Sequence, residues 1–594
     1  MSRTPRSPSR HAAGWALASA LVLLGGCSSD DDDDEGDGPS ATTRWQVWAS
    51  DQSNSVADAS APGTRGSYLW IWESEAVATQ LDGGEAASPI GCVPTAAGAD
   101  DAGPCDLLDV FPPTLAEHDA DGEPTGRTLG ELDGFGRLHG MLADPQNRYV
   151  NANIFAPGGG FVGVIDVRTR EAVGLFRVTG TNVGGGSAVR SVHMSFWSAD
   201  GSAILVANLN GKLLERIDVE RDGSGAITAL ALDRSATLGV GQAMQVTAPA
   251  TVFAGDNAFG RALLGGIEGD YAEADLGDLT PAGFCKENGC GTGPDGGLGG
   301  RPNNVIICPI VSEGDRGYVT MGGGGLLVAD IASTPMRIVG EYGNRMVNGA
   351  GCGGVEAGGR MWLNAGVSAS PTGATQSVFT VYAIDDGAFD TAGGEENLPE
   401  PMVVYRDAGN TASGGAEGGA AANDSGQVPG ESTRRDSHGM VATIDGRFVH
   451  VVDRIANVVE VFDTDSFARS TYDLVSADGQ GGGVGPCAAA SADDDAALPG
   501  NDPAPDLIDR TPDGRYLVAA LRGPVPVSVT HAAQGSCPGV GIVELSDDGA
   551  GGRLVGVLRS SNTLDTAEGG APGGHAYTGA ERSDVHGAVA VAVP

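Results

Sequence analysis

The stretch Asp436–Thr464, DSHGMVATIDGRFVHVVDRIANVVEVFDT, reads as three short strands. HGMVATI is a short apolar run. DGR is a tight turn in which glycine supplies the backbone freedom, FVHVVDR is a second strand and NVVEVFDT a third. The runs are short, β-branched and separated by turn residues, the pattern of an antiparallel meander.

The same grammar recurs along the chain. HGMLADPQNRYVNANIFAPGGGFVGVIDVRT starts at His139, HMSFWSADGSAILVANLNGKLLERIDVER at His193 and NNVIICPIVSEGDRGYVTMGGGGLLVADIAS at Asn303. GCGGVEAGGRMWLNAG, from Gly351, is completed by SVFTVYAIDD, and DLIDRTPDGRYLVAALRG, from Asp506, by GVGIVELSDD. In three units an arginine follows the first position by nine residues: His139 and Arg148, His438 and Arg447, Asp506 and Arg515. The ends supply one more unit. HGAVAVAVP, from His586, is a first strand with nothing after it, whereas RWQVWASDQSN and GSYLWIWESE are second and third strands with no first. A repeat array that closes through split ends is a β-propeller. The expectation is an all-β, seven-bladed β-propeller, closed by pairing of the C-terminal strand with the N-terminal blade. Residues 88–135, 245–302, 405–436 and 475–505 are expected to be long loop insertions.

PDGRYL at 512–517, with the third strands VGVIDV and VEVFDT, resembles the YVTN-type propellers. These are seven-bladed relatives of the lactonase-like and nitrous-oxide-reductase-like domains. The resemblance covers about residues 44–594. It implies the fold but no single activity, because that superfamily hosts unrelated chemistries.

Composition agrees with a turn-rich β protein: the 594 residues include 96 glycines and are 41% hydrophobic. The formal net charge of −42 repels nucleic acid and anionic membranes, which excludes both as electrostatic partners. At the N-terminus, Arg3, Arg6 and Arg10 precede the apolar run GWALASALVLLGG, too short for a comfortable membrane span. LGGC, ending at Cys27, resembles the bacterial lipobox. That resemblance implies a signal peptide over 1–26 and lipidation of Cys27, with membrane attachment through the acyl chains. Residues 27–43, containing SSDDDDDEGDGPS, form an acidic disordered tether ahead of a propeller over 44–594. The location expected is the cell envelope, at the outer membrane. Eight further cysteines read as disulfides in an exported chain. Sequence does not fix their connectivity; the pairings expected are Cys92–Cys105 and Cys285–Cys290 locally, with Cys308–Cys352 and Cys487–Cys537 joining neighbouring repeats.

Four of the nine histidines, His139, His193, His438 and His586, stand at one place in the repeat, the start of the strand that lines a propeller's channel. Three readings follow. Imidazoles from separate rigid strands can hold a transition metal, copper or zinc, and so serve an oxidoreductase-like site. Asp436 and Asp584, each two residues before a histidine, would orient the rings. Asp506 occupies the same place in another repeat. In nitrous oxide reductase and the selenium-binding or methanethiol oxidase family, propeller histidines hold copper. Their histidines are more numerous or differently spaced, and this chain has no Cys-rich second copper domain, which leaves a mononuclear centre. The second reading is an anion site, because Arg137, Arg190, Arg434, Arg435 and Arg582 each lie within four residues before one of these histidines. The third is a non-catalytic scaffold that binds a small ligand or a protein, with structural histidines. No complete catalytic motif is present: HDADGE at 118–123 misplaces the glycine and distal glutamate of a calcium loop, and no nucleophile elbow occurs.

Overall fold

A computed structural model describes residues 44–593 except 54–66, 93–102, 133–134, 157–158, 183–187, 241–244, 273–305, 323, 344–345, 348–350, 366–378, 393–396, 407–434, 455, 481–484, 488–502, 524–534 and 562–582. The signal segment, Cys27, the tether, Cys285, Cys290, Arg434 and Arg582 lie outside these residues.

The phrase that opens the sequence analysis becomes three antiparallel strands, Ser437–Ala442, Phe448–Asp453 and Val458–Asp463, and Arg469–Asp473 adds a fourth beyond it. The alternating apolar residues of the middle strands face both ways and are buried on both faces, as a sheet packed between two others requires. Such sheets recur along the chain and give a β-propeller arrangement. The units starting near 306, 354, 437 and 505 have four strands each. So does the sheet formed by Val585–Ala592, Trp45–Asp51, Tyr68–Glu73 and Cys105–Asp106. In that sheet the C-terminal strand runs antiparallel to the N-terminal one, Trp45 opposite Ala592 and Ser50 opposite Gly587. Asp51, buried at its end, accepts hydrogen bonds from the Asp584 amide (2.9 Å), the Ser583 hydroxyl (2.8 Å) and the Trp70 indole (3.0 Å).

Seven equal units are not what forms. The sheet that begins with Leu138–Ala143 has seven strands and the one that begins with Val192–Trp197 has five. The extra strands come from stretches expected to be loops. Ala116–His118, Pro124–Thr128 and Thr251–Ala254 extend the first sheet beyond Glu171–Arg177, and Gly266–Glu268 adds a parallel strand to the second. The driving group is Glu117, which is fully buried. It accepts from Thr125, Thr251 and Arg177, so one carboxylate ties three segments together. HDADGE is the turn of this addition, with Asp119 accepting from the amides of Asp121 and Glu123.

Three of the expected disulfides form: Cys92–Cys105, Cys308–Cys352 and Cys487–Cys537. They fit an exported protein.

Candidate metal centre

The innermost strands share a defect. Leu138 pairs with Ile154 and Gly140 with Asn153, so two steps on the inner strand match one on its neighbour and His139 is the extra residue. Val192 and Ser195 pair with Asn208 and Val206, three steps against two, with His193 and Met194 between. The same slip brackets Ile307 and Cys308, His438 and Gly439, and Asp506 and Leu507, and it isolates His586 between Val585 and Gly587. A β-bulge bends the strand and re-aims one side chain. Six inner strands therefore carry a bulge at one level, and the sequence-predicted residues sit in them. The His-Gly pair follows from this. A Cβ on Gly439 would lie 2.4 Å from the Asp506 carbonyl oxygen of the next inner strand, so only glycine permits the approach.

The four imidazoles meet in a row. His193 and His139 bring their Nε2 atoms to 3.1 Å. His139 stacks on His586 with ring centroids 4.0 Å apart, and His586 lies 5.8 Å from His438. All four are buried. His438, Asp506 and His586 each offer a ligand atom, all within 4.8 Å of one another. His438 Nε2 stands 3.0 Å from Asp506 Oδ1 and His586 Nε2 stands 3.8 Å from Oδ2.

Burial disfavours the imidazolium form. It pushes His193 down to about 4 and His438 to about 3, and it holds His139 and His586 well below the ordinary histidine value, with neighbouring charged groups adding to the effect. The rings are neutral at pH 7, the form that ligates metals. His139 Nδ1 and His586 Nδ1 are buried without a hydrogen-bond partner, and His438 Nε2 and Asp506 Oδ1, 3.0 Å apart, have no partner other than each other. Buried polar atoms in this state are uncommon, and several at one spot mark a place built for something else.

Asp506 is held from behind. Its Oδ2 accepts from Arg522 at 2.7 Å and lies 3.4 Å from Arg454. Burial alone would raise its pKa; the cationic neighbours outweigh that and hold it below the usual carboxylate range. The same arginines grip the two other carboxylates. Arg522 forms a two-point contact with Asp584 at 2.6 and 2.8 Å, and Arg454 bonds Asp436 at 2.8 Å.

This corrects one expectation. Asp436 and Asp584 hold Arg454 and Arg522 rather than a histidine ring, because the bulge breaks the alternation that would put residues two apart on one face. Those upstream arginines that are described are engaged elsewhere. Arg137 donates to Gln52 and lies over the Phe155 ring, Arg190 bonds the Val178 carbonyl, and Arg435 pairs with Asp453 and Glu460. Arg454 and Arg522, which sequence reasoning missed, follow the second strands in VVDR and AALR. Each amide bonds a carbonyl just before the inner strand, that of Asp436 or Ala504. That shared place was the available signal.

Past the histidines the inner strands line a cavity of about 540 Å³, whose wall includes Met141, Met194, Met440, Leu507 and Cys352.

No family model matches the sequence, and no curated protein matches it. Solved structures resemble it in fold. A periplasmic gluconolactonase of Pseudomonas aeruginosa is 11% identical with a TM-score of 0.40, over 93% of this chain and 100% of that one. A hydrazine synthase of Kuenenia stuttgartiensis is 13% identical with a TM-score of 0.31, over 68% and 76%. The dihydro-heme d1 dehydrogenase NirN is 11% identical with a TM-score of 0.30, over 80% and 75%. At such identities and scores these likenesses carry no argument about activity; the strand pairing carries the fold.

Proposed function

We propose that this chain is a lipid-anchored envelope protein whose propeller axis holds a transition metal. His438, His586 and Asp506 would be its ligands, with His139 and His193 beside them. The observation that carries this reading is the convergence of neutral, buried imidazoles on one carboxylate, with His438, His586 and Asp506 offering ligand atoms within 4.8 Å of one another and His139 Nδ1 and His586 Nδ1 without a partner. The donor set fits: two nitrogens and one oxygen suit copper or zinc. Copper there would supply one-electron chemistry, and zinc would supply a Lewis acid. The residues around the set keep the rings unprotonated and fix Asp506 through Arg522 and Arg454. In this reading seven sheets of four or more strands are seven blades of the YVTN type, closed by the Trp45–Asp51 and Val585–Ala592 pairing. Residues 1–26 are the leader, 27–43 the tether and 44–594 the ring, with Cys27 carrying the lipid at the outer membrane.

Elemental analysis of the purified protein tests the metal. About one equivalent of copper or zinc is expected, lost in His438→Ala/His586→Ala. No metal in the wild type, even after incubation with either ion, would refute the site. The cavity of about 540 Å³ favours a second reading, a scaffold that binds a small ligand without metal, and that result would select it. The anchor has its own test: incorporation of a labelled fatty acid, abolished in Cys27→Ala.

A further inference from the structure

The row of imidazoles ends on a disulfide. His193 turns Nε2 toward His139 and Nδ1 toward the Cys308–Cys352 bridge, 3.8 Å from Cys352 Sγ and 4.0 Å from Cys308 Sγ. We propose that Cys308, Cys352 and His193 form a second, redox-gated site for a thiophilic metal ion, closed while the disulfide is intact and opened by a dithiol reductant.

Three observations support it. The first is distance. Zinc bound to sulfur at about 2.3 Å and nitrogen at about 2.0–2.1 Å in a tetrahedron separates those donors by about 3.6 Å. The present separations are within a few tenths of that, so the imidazole is already placed. Once the bond is reduced, the sulfurs would sit about 3.8 Å apart in the same tetrahedron. Their Cα atoms, 5.3 Å apart, leave that to side-chain rotation. The second is access. Both cysteines are buried from bulk solvent, yet Cys352 lines the cavity beside the row. A small dithiol admitted there meets Cys352 without unfolding of the sheet. The third is the ring's hydrogen bonding. The proton between the two Nε2 atoms can lie on His193. In that tautomer Nδ1 is the ligating nitrogen, on the side of the sulfurs.

The chemistry balances. A thiolate of the dithiol attacks one sulfur of the bridge, and the Cys308–Cys352 bond breaks. The second thiol closes on the mixed disulfide, and the dithiol leaves as its own cyclic disulfide, two electrons poorer. The cysteines take up those electrons with two protons. A divalent ion then binds the two sulfurs and Nδ1, and the two thiol protons leave to solvent. Thiolates select zinc, cadmium or cuprous ions over harder ions.

This site stands or falls separately from the one at His438, His586 and Asp506. The test uses the full chain in detergent, with zinc and cadmium as probes. It is treated anaerobically with dithiothreitol, freed of reductant, loaded, and compared with untreated protein. Mass spectrometry after alkylation reports which cysteines opened. The expected result is one additional equivalent of zinc, and with cadmium a thiolate charge-transfer absorption, only after reduction. The gain should persist in His438→Ala/His586→Ala and vanish in Cys308→Ser/Cys352→Ser. In His193→Gln, which keeps both thiols, zinc affinity should fall at least tenfold. If the double serine variant does not fold, the His193→Gln comparison decides. The proposal is overturned if Cys308 and Cys352 stay oxidised in the folded protein, if they open without metal uptake, or if the gain survives in the double serine variant.

Discussion

His450 and His139 are equally hidden from water and are held neutral by the same burial, yet their surroundings differ. His450, on the second strand of its sheet, faces the neighbouring sheet. Its Nε2 donates to the Gly549 carbonyl at 2.9 Å, and its Nδ1 accepts from Tyr472 at 3.2 Å. Every polar atom of the ring is used. His139, in a bulge at the axis, shares one nitrogen with another imidazole and has no partner for the other. The first is a structural histidine. The second belongs, in the proposed reading, to a site that takes a ligand, and the contrast separates the two rings better than burial or depressed pKa does.

The largest test of this contrast is behind the cluster. Arg522→Ala leaves Asp506 and Asp584 buried without their shared cation. A loss of about 3–5 kcal/mol is expected, read as a lowered denaturant midpoint. A loss below about 1 kcal/mol would mean that the carboxylates are solvated and the axis is open to water.

Acid gives the next effect. An unfolded histidine takes a proton near pH 6.5, but the folded rings resist it down to about 3–4 or lower. Below about 6.5 the unfolded chain binds protons that the folded chain cannot. Stability should therefore fall with pH, by up to about 1.4 kcal/mol per unit for each ring. Asp506, depressed in the fold, adds to the loss at still lower pH, as the unfolded carboxylate titrates near 3.9. Denaturation at stepped pH should show this slope, reduced in His139→Leu. A flat profile from pH 7 to 5 would show that the rings are protonated in place.

His450→Ala should cost about 1–3 kcal/mol, since it strands the Tyr472 hydroxyl and the Gly549 carbonyl, and should leave metal content unchanged. His139→Leu removes one nitrogen that has no partner and strands only His193 Nε2, so in the metal-free protein it should cost less than His450→Ala, about 1 kcal/mol. If His139→Leu destabilised more than His450→Ala, the division between the two rings would be wrong.

Much of this was legible in the sequence. The meander appears in the turn glycines and β-branched runs, and the gathering of four histidines follows from their place in the repeat. Three disulfides fell where spacing put them. The bulge was not legible, because one extra residue in an inner strand leaves the apolar pattern around it unchanged. It nevertheless decides which side chains reach the axis, and it sends Asp436 and Asp584 to arginines instead of imidazoles. Arg454 and Arg522 were hidden for another reason: an arginine ending a strand reads as a surface residue until its partners across the sheet are known. The strands Ala116–His118, Pro124–Thr128 and Thr251–Ala254 meet at Glu117, a long-range contact with no local signature.

The bulges also separate what the sheet needs from what the axis displays. The same place in the slip is filled by histidine in four sheets, by Asp506 in another and by Ile307 in a sixth. The flanking ladder is alike in each, so the occupant is free to vary while the scaffold stays. A lineage built this way can change the side chains at its axis by point substitution, one sheet at a time, and Ile307→His would add an imidazole there without redesign of the sheets. Kinship of scaffold and kinship of chemistry then evolve on separate clocks, and relatives of this fold need share no reaction.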